Sequence, residues 1–298
     1  MFQQFRVEVL IPGGRQRYLD LLLPSLLRAG EIDRIHLLLN TENPDDLTYM
    51  RGLNHPKIVL KELPEGVVAN GIRTVGHIYK TAVDPSTIYI KIDDDVIWLQ
   101  AHAIKALLEG RLRHADCFLV SPVVINNTHC SHMLQRHRKF DYVERYIVPG
   151  PGGFAKDDPA FAITLHRKFL DIVEAGREQD FFIADQMIAG TRFSINCICF
   201  FGKDMAKTNG EIAGIWPHMK RDDEEYLSVH LPAKLGKSNG VIGNALVAHF
   251  AFHNQEQAIL ETGILDRYRR HSETLLTRFQ RVVKKSWAKT GNAKEGLP

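Results

Sequence analysis

A chain of 298 residues with 44% apolar and 24% charged side chains is long enough for one large domain or two small ones, and its composition is that of a soluble globular protein with an ample core. No apolar run approaches a membrane span and no charged-then-apolar leader precedes Val7, which predicts a cytoplasmic protein; Cys117, Cys130, Cys197 and Cys199 make no disulfide framework in a chain of this length. The net charge of +3 is uneven: residues 267–298 carry nine Lys or Arg against two Glu, a local +7 that leaves the first 266 residues at −4, so nucleic acid is not the first partner to expect.

In chain order, Phe5 to Pro12 reads as a strand closed by Pro12-Gly13-Gly14, and Leu19 to Leu27 as an apolar-faced helix. Asp33 to Asn40 and Lys57 to Leu60 follow as strands, Ile72 to Ala82 as a helix, and Cys117 to Val123 as a later strand. Strand–helix units of roughly thirty residues predict βαβ crossovers and an α/β fold, with a mainly parallel twisted sheet flanked by helices. Residues 1–125 would form a nucleotide-binding half.

Between that helix and that later strand lies the most informative stretch, Ile88 to Leu99, a buried-strand pattern interrupted by Asp93-Asp94-Asp95. Three carboxylates do not end a core strand for packing reasons, because burying them unpaired costs several kcal/mol each. A divalent cation that bridges phosphates is the economical partner, and strand ends are where open α/β sheets place ligands.

Two glycine-containing stretches fail as phosphate loops. Gly236-Lys237-Ser238 lacks the earlier glycine, since Leu231 stands there, and Gly13-Gly14 lacks the rest of the dinucleotide fingerprint. From Asn126 to Lys156 the pattern dissolves, and Val148 to Gly153 is a flexible loop by composition. Asn126-Asn127-Thr128 is a formal glycosylation sequon without meaning in the cytosol. His129, Cys130, His132 and His137 invite a zinc reading, but their spacing is that of no known structural site, and a solvated basic loop is expected.

Ala162 to Glu174 reads as helix and Phe193 to Phe201 as buried strand, followed by Trp216-Pro217-His218. Asp222 to Glu225 would favour the positive end of a short helix stopped by Pro232, although Leu227, Val229 and Leu231 also fit a strand. Val241 to Phe252 reads as a strand with His249 and His253 on one face. From Leu265 through Trp287 the spacing is helical, with Arg281, Lys284 and Lys285 among the apolar positions. That basic face suits either peripheral contact with an anionic membrane or packing on the body.

Together these parts resemble a GT-A fold glycosyltransferase of the nucleotide-sugar-dependent type. The βαβ half, Asp93-Asp94-Asp95 in the position of the DxD motif and the acidic helix start stand in the expected order. The stretch Asp223 to Leu231 is similar to the family 2 segment in which Glu-Asp precedes a Leu-containing helix. Lys91–Val96, Arg192–Asp204 and Asp222–Phe252 are also similar to fungal and bacterial glycosyltransferase-like proteins. The resemblance implies one domain over 1–256, with an acceptor half over 126–256 and a basic helical extension over 257–298. It implies Mn2+ or Mg2+ on Asp95 and Asp93, with His249 or, second, His253 completing the shell. Pro12, Arg15, Gly71, Arg73, Asp93 and Asp94 would face a nucleotide-diphosphate sugar, a UDP-sugar first.

It places Glu224 where the catalytic aspartate sits and Asp223 where the preceding glutamate sits, so Glu224 is the first candidate base and Asp223 the second. The implied reaction is inverting transfer to a glycan or lipid-linked saccharide hydroxyl. A retaining transferase, a nucleotidyltransferase and a non-catalytic nucleotide-sugar-binding module are the alternatives.

Overall fold

The structure, a computed structural model, describes residues 1–142, 145–150, 153–208, 212 and 222–273. Its strands are β1 (Arg6–Gly13), β2 (Arg34–Leu39), β3 (Ile58–Lys61), β4 (Thr87–Ile92), β5 (Val96–Leu99), β6 (Leu119–Ile125), β7 (Gln186–Ile188), β8 (Cys197–Phe201) and β9 (Asn239–His249). They form a single sheet in the order β3-β2-β1-β4-β8-β6-β9-β5, with β7 also paired to β9. The four strands from β3 to β4 are parallel, as the alternating pattern predicts. Beyond them β8 runs antiparallel between β4 and β6, β6 and β9 are parallel, and β5 and β7 run against β9. Central strands are covered on both faces, which is why β4 and β8 read as nearly unbroken apolar runs.

Helix α1 (Gln16–Arg28) turns Tyr18, Leu19, Leu22, Leu23 and Leu26 inward, and α5 (Pro159–Glu174) buries Phe161, Leu165, Phe169 and Leu170. The sheet must curl. From Ile92 to Val96 the chain spans at most ~15 Å, at 3.8 Å per step. Yet β4 and β5 are four strand spacings apart, ~19 Å in a flat sheet. Curling brings the end of β9 over the end of β4, where Phe250 N donates to Asp95 O at 2.8 Å. The bend in β9 lies where the register with β6 shifts. At Gly243 there, any Cβ would lie 1.9 Å from Ile183 O, so glycine alone allows the approach.

Several elements differ from the sequence pattern for identifiable reasons. Helix α2 (Pro44–Arg51), absent from the pattern read above, opens at Asn43 before Pro44, whose side chain accepts from Asp45 N and Asp46 N. Helix α3 (Ala103–Arg113) has its apolar face against β9 and β6. The expected helix over Ile72 to Ala82 is two 3-10 turns, Gly71–Arg73 and Val75–Thr81. Gly71 sits at φ +45°, and Thr74 Oγ1, bonded to Asn70 N at 2.9 Å, joins the two turns.

The stretch from Asn126, expected as a solvated loop, opens with α4 (Thr128–Arg136). Asn127 caps it by accepting from His129 N and Cys130 N at 3.0 and 3.1 Å. Asn126, Asn127 and Thr128 are buried, so the sequon is closed to modification in the folded chain. Burial holds His129 neutral, with its pKa lowered to about 4, and pushes the Cys130 thiol up to about 12. Among the described residues no three His, Cys, Asp or Glu side chains gather here as a zinc shell.

After β8 comes the short α6 (Gly202–Met205). The acidic run then starts α7 (Asp223–Glu225), which continues as a π-helical turn Tyr226–His230 into α8 (Leu231–Leu235). Pro232 therefore does not stop this helix. A proline clashes with the carbonyl four residues back and offers it no N–H. The π-turn gives room there, and the carbonyl in question, Ser228 O, accepts from Asn239 Nδ2 at 2.7 Å instead. Gly236, at φ +65°, ends the helix.

The strand expected to reach Phe252 stops at His249, and His253 begins α9 (His253–Leu260), where it is exposed. Residues 264–273 are helical, and Tyr268 is fully buried with its hydroxyl 2.9 Å from His166 Nδ1. Trp216-Pro217-His218 and the basic face with Arg281, Lys284 and Lys285 lie outside the described residues. Among the described residues no helix is long and apolar enough to cross a membrane.

Candidate active site

The three aspartates at the end of β4 have three different sets of partners. Asp93 is held by Lys91, whose Nζ also donates to Ile195 O at 3.1 Å, and its own N–H donates to Asn196 O at 2.8 Å. Lys91 is 2% exposed, so the sheet itself carries a buried ammonium next to the acidic run. Asp94 Oδ2 accepts from Gly14 N at 2.9 Å and from Arg15 Nε at 3.3 Å, which ties the turn after β1 to the end of β4. Asp95 Oδ2 accepts from Arg15 Nη2 at 3.0 Å and lies 3.4 Å from His249 Nε2. Its other oxygen, Oδ1, is buried without a hydrogen-bond partner.

His249 is oriented from behind. Its Nδ1 donates to Asn126 O at 3.1 Å, which turns Nε2 toward Asp95. Asn126 takes φ +61°, and its Nδ2 donates to Phe250 O and Gln255 Oε1, both at 3.0 Å, so the β6 end and the β9 end are locked together. Burial opposes ionisation throughout this site. For Asp95 it is outweighed by His249 and Arg15, which hold the carboxyl well below its usual range. His249 is raised, because Asp95 outweighs the burial of its imidazolium. Asp93 is raised by burial against the pull of Lys91, and Asp94 is pushed up to about 6 by burial despite Arg15.

The second acidic run divides its acids differently. Asp222 is the N-cap of α7, with Oδ1 accepting from Glu225 N at 2.9 Å. Arg192 Nη2 donates to Asp222 at 2.6 Å and its Nε donates to Glu224 Oε1 at 2.8 Å, while Nη1 stands 3.7 Å from Glu225. Glu225 also meets His230 Nε2 at 2.9 Å, a spacing of five residues that the π-turn brings together. Asp223 alone turns inward. Its Oδ2 faces the hydroxyl of the fully buried Tyr79 at 3.4 Å, and its Oδ1 accepts from Glu224 N at 3.0 Å. Burial raises its pKa to about 6, with Lys91 pulling it down and Asp93 pushing it up, which places Asp223 in the electrostatic field of the β4 end.

The structure therefore brings Asp93, Asp94, Asp95, Arg15 and His249 together, with Asp223 within electrostatic reach of Lys91 and Asp93. Pro12 lies at the end of β1, just before the Gly14–Arg15 turn. Gly71 and Arg73 are exposed on the 3-10 turn, whose Gly71 O accepts from Asn40 Nδ2 at 2.9 Å. His253, exposed on α9, is not beside His249 on the strand.

The residues that the sequence pattern left out are Lys91, Tyr79, Arg192, Asn126 and Glu256. Lys91 alone gave a signal, a lysine inside a buried-strand pattern two residues before the acids. Among the described residues no three His, Cys, Asp or Glu side chains are assembled as a metal shell, and Asp93 is engaged by Lys91. The unpartnered Asp95 Oδ1 beside an oriented imidazole nitrogen is nevertheless a hard-oxygen and nitrogen donor pair that fits Mn2+ or Mg2+.

No protein-family model matches the chain, and no curated protein matches it. Among solved structures, the mannosyltransferase PcManGT from Pyrobaculum calidifontis, in complex with GDP-Man and Mn2+, is similar over 97% of this chain and 79% of its own, at 12% identity and a TM-score of 0.49. The 4-diphosphocytidyl-2C-methyl-D-erythritol synthase from Anaerococcus prevotii is similar over 87% of this chain and 95% of its own, at 10% identity and a TM-score of 0.46. CMP:2-keto-3-deoxy-manno-octonic acid synthetase complexed with CTP is similar over 89% and 99%, at 9% identity and a TM-score of 0.45. These likenesses assign neither substrate nor residue roles; the α/β architecture stands on the sheet order itself.

Proposed function

We propose that the chain is a metal-dependent glycosyltransferase that moves a sugar from a nucleotide-diphosphate sugar, a UDP-sugar first, to a glycan or glycolipid hydroxyl with inversion. The observation that carries this reading is that each acidic run leaves one buried carboxylate unspent. Asp95 Oδ1 has no partner, and Asp223 has only a phenol hydroxyl and an amide. In this reading residues 1–125 hold the donor and residues 126–256 the acceptor.

Asp95 and His249 would hold Mn2+ or Mg2+, with Asp93 able to join once Lys91 turns to Ile195 O. When bound, the cation supplies Lewis acidity for the charge that builds on the departing diphosphate. Arg73, on the 3-10 turn with Gly71, and the segment from Pro12 to Arg15 would face the diphosphate and ribose.

The acceptor's proton goes to Asp223 rather than Glu224. A carboxylate with a pKa of about 6 is ionised at neutral pH and is still a competent proton acceptor, and the Tyr79 hydroxyl donates to it and fixes its orientation. Glu224 is bound to Arg192 at 2.8 Å and would have to break that ion pair first.

Nucleotidyl transfer is the alternative, in which the Gly14–Arg15 turn after β1 would have to hold a triphosphate although no Gly-rich, Lys-terminated loop stands there. It ranks second because the Gly14 amide is already spent on Asp94. Incubation of the full chain with Mn2+ and a panel of nucleotide sugars, with product configuration read by NMR, tests the main reading. Inverted product supports it, and retained configuration overturns the base assignment. Pyrophosphate release from a nucleoside triphosphate and a sugar phosphate, without sugar transfer, replaces it with the alternative. Nucleotide-sugar binding without turnover leaves a non-catalytic module.

A further inference from the structure

Arg15 stands at a position where two functions collide. Its Nη2 is 3.0 Å from Asp95 Oδ2, the same oxygen that lies 3.4 Å from His249 Nε2, so the guanidinium already sits on the carboxylate that a divalent cation would need. A second acid is within reach: Nη1 lies 3.8 Å from Glu256 Oε1 on α9. Beneath both is Tyr18, whose ring centroid is 4.9 Å from the guanidinium carbon and whose hydroxyl donates to Glu256 Oε1 at 2.5 Å. Tyr18 is fully buried in the face of α1, so ring and acid form one fixed platform.

We propose that Arg15 is a resident cation of the β4 carboxylates and that it exchanges Asp95 for Glu256 when a divalent cation binds; the proposal rests on the cation-binding reading above. Without metal, Arg15 lies on both Asp94 and Asp95 and Lys91 on Asp93, so each carboxylate of the run has a cation beside it. A dication entering beside Asp95 Oδ1 repels the guanidinium, which is the mobile partner. The Arg15 side chain is 34% exposed, against 3% for His249. The move is small, since Nε and Nη2 stay on Asp94 and the cation–π contact with Tyr18 persists while Nη2 leaves Asp95 and Nη1 closes its 3.8 Å gap to Glu256. Asp94 keeps its bond from Gly14 N throughout. Metal affinity is then set by competition with an internal arginine, and Glu256, remote from the metal, helps to set it.

The test is Mn2+ binding to the full chain without nucleotide, followed by the electron paramagnetic resonance signal of free Mn2+. Arg15→Gln should tighten Mn2+ by about tenfold or more. Glu256→Gln, which keeps an acceptor for Tyr18 and lies at the half-buried surface, should weaken it by about threefold or more. The double variant should match Arg15→Gln alone, because Glu256 has no role once the guanidinium is gone. Should Arg15→Gln not be recovered folded, Glu256→Gln decides alone. Unchanged or weaker binding in Arg15→Gln, or unchanged binding in Glu256→Gln, overturns the exchange while Asp95→Asn still abolishes binding. Absence of Mn2+ binding in the wild type, or wild-type binding in Asp95→Asn, overturns the cation reading itself.

Discussion

The chain contains two runs of consecutive acids, Asp93–Asp95 and Asp222–Glu225, and the fold treats them in opposite ways. The first ends a strand buried on both faces, and its charges are met by Lys91 of β4 itself, by Arg15 from the turn after β1 and by the His249 imidazole at the end of β9. The second begins a helix, where a capping aspartate, the helix N-terminus and one half-exposed arginine take up most of the charge. Acids at a helix start cost little and need no ligand to explain them. Acids at a buried strand end are tolerated only with partners. In both runs the residue proposed for chemistry is the one that these devices consume least: Asp95 through Oδ1, and Asp223 by facing inward.

The contrast is broken most severely at those two positions. Asp223→Asn should lower sugar transfer by about a thousandfold while leaving donor binding intact, and Glu224→Gln should change it by only a few-fold. Steady-state transfer alongside donor binding by calorimetry checks both. Full activity in Asp223→Asn with loss in Glu224→Gln would return the base to the arginine-bound glutamate. Asp95→Asn should remove the Mn2+ dependence of donor binding, and the same calorimetry with and without Mn2+ reads it.

The two cations should differ as their settings do. Lys91→Met removes a buried ammonium and its bonds to the half-buried Asp93 and to Ile195 O, and should cost about 1.5–3 kcal/mol in urea denaturation. Arg192→Met, at a partly exposed cluster, should cost about 1 kcal/mol or less. Equal costs would erase the distinction between the two runs.

A pH series sharpens it further. The Asp223 carboxyl, raised from 3.8 to about 6, binds its proton more tightly in the folded chain. Its contribution to stability is therefore fully present below about pH 4 and is lost as pH rises to about 6. Transfer runs the other way, rising about tenfold per pH unit below about 6 and levelling above it, because the ionised form is the base. In Asp223→Asn that part of the stability slope should vanish, and a slope equal to that of the wild type would assign it elsewhere.

The strand-end acids were legible in the sequence because period-two apolar residues run straight into them, and the parallel half of the sheet was legible for the same reason. Arg15 was expected to face the donor, and the structure places its guanidinium on Asp94 and Asp95. The internal cations were not legible. Lys91 looks like a pleat residue until the structure shows both of its faces covered, and Arg192 meets the acids at 222–225 only through tertiary packing. Helix α4 was hidden because its buried face is made of His129, Cys130 and Ser131 along with Met133 and Leu134, a face that polarity scales read as loop. The choice between Asp223 and Glu224 was beyond sequence altogether. Adjacent helix residues point about 100° apart, and only the position of Tyr79 and Arg192 tells which one looks inward.

The smallest expected effect concerns Asp222, which separates capping from chemistry within the second run. Its Oδ1 accepts from Glu225 N and its Oδ2 from Arg192, both of them structural bonds at the surface of the helix start. Asp222→Ala should lose the cap and weaken one arm of the arginine, about 1 kcal/mol in all. Asp222→Asn keeps an acceptor for Glu225 N and should lose less than half of that. Neither should alter the pH at which transfer rises, because neither touches Tyr79 or the inward face of Asp223. Paired denaturation curves and pH–rate profiles of the two variants decide the point: a shifted rate profile in Asp222→Asn would mean that the cap also tunes the base, and the division between the two kinds of acid would then fail inside the run itself.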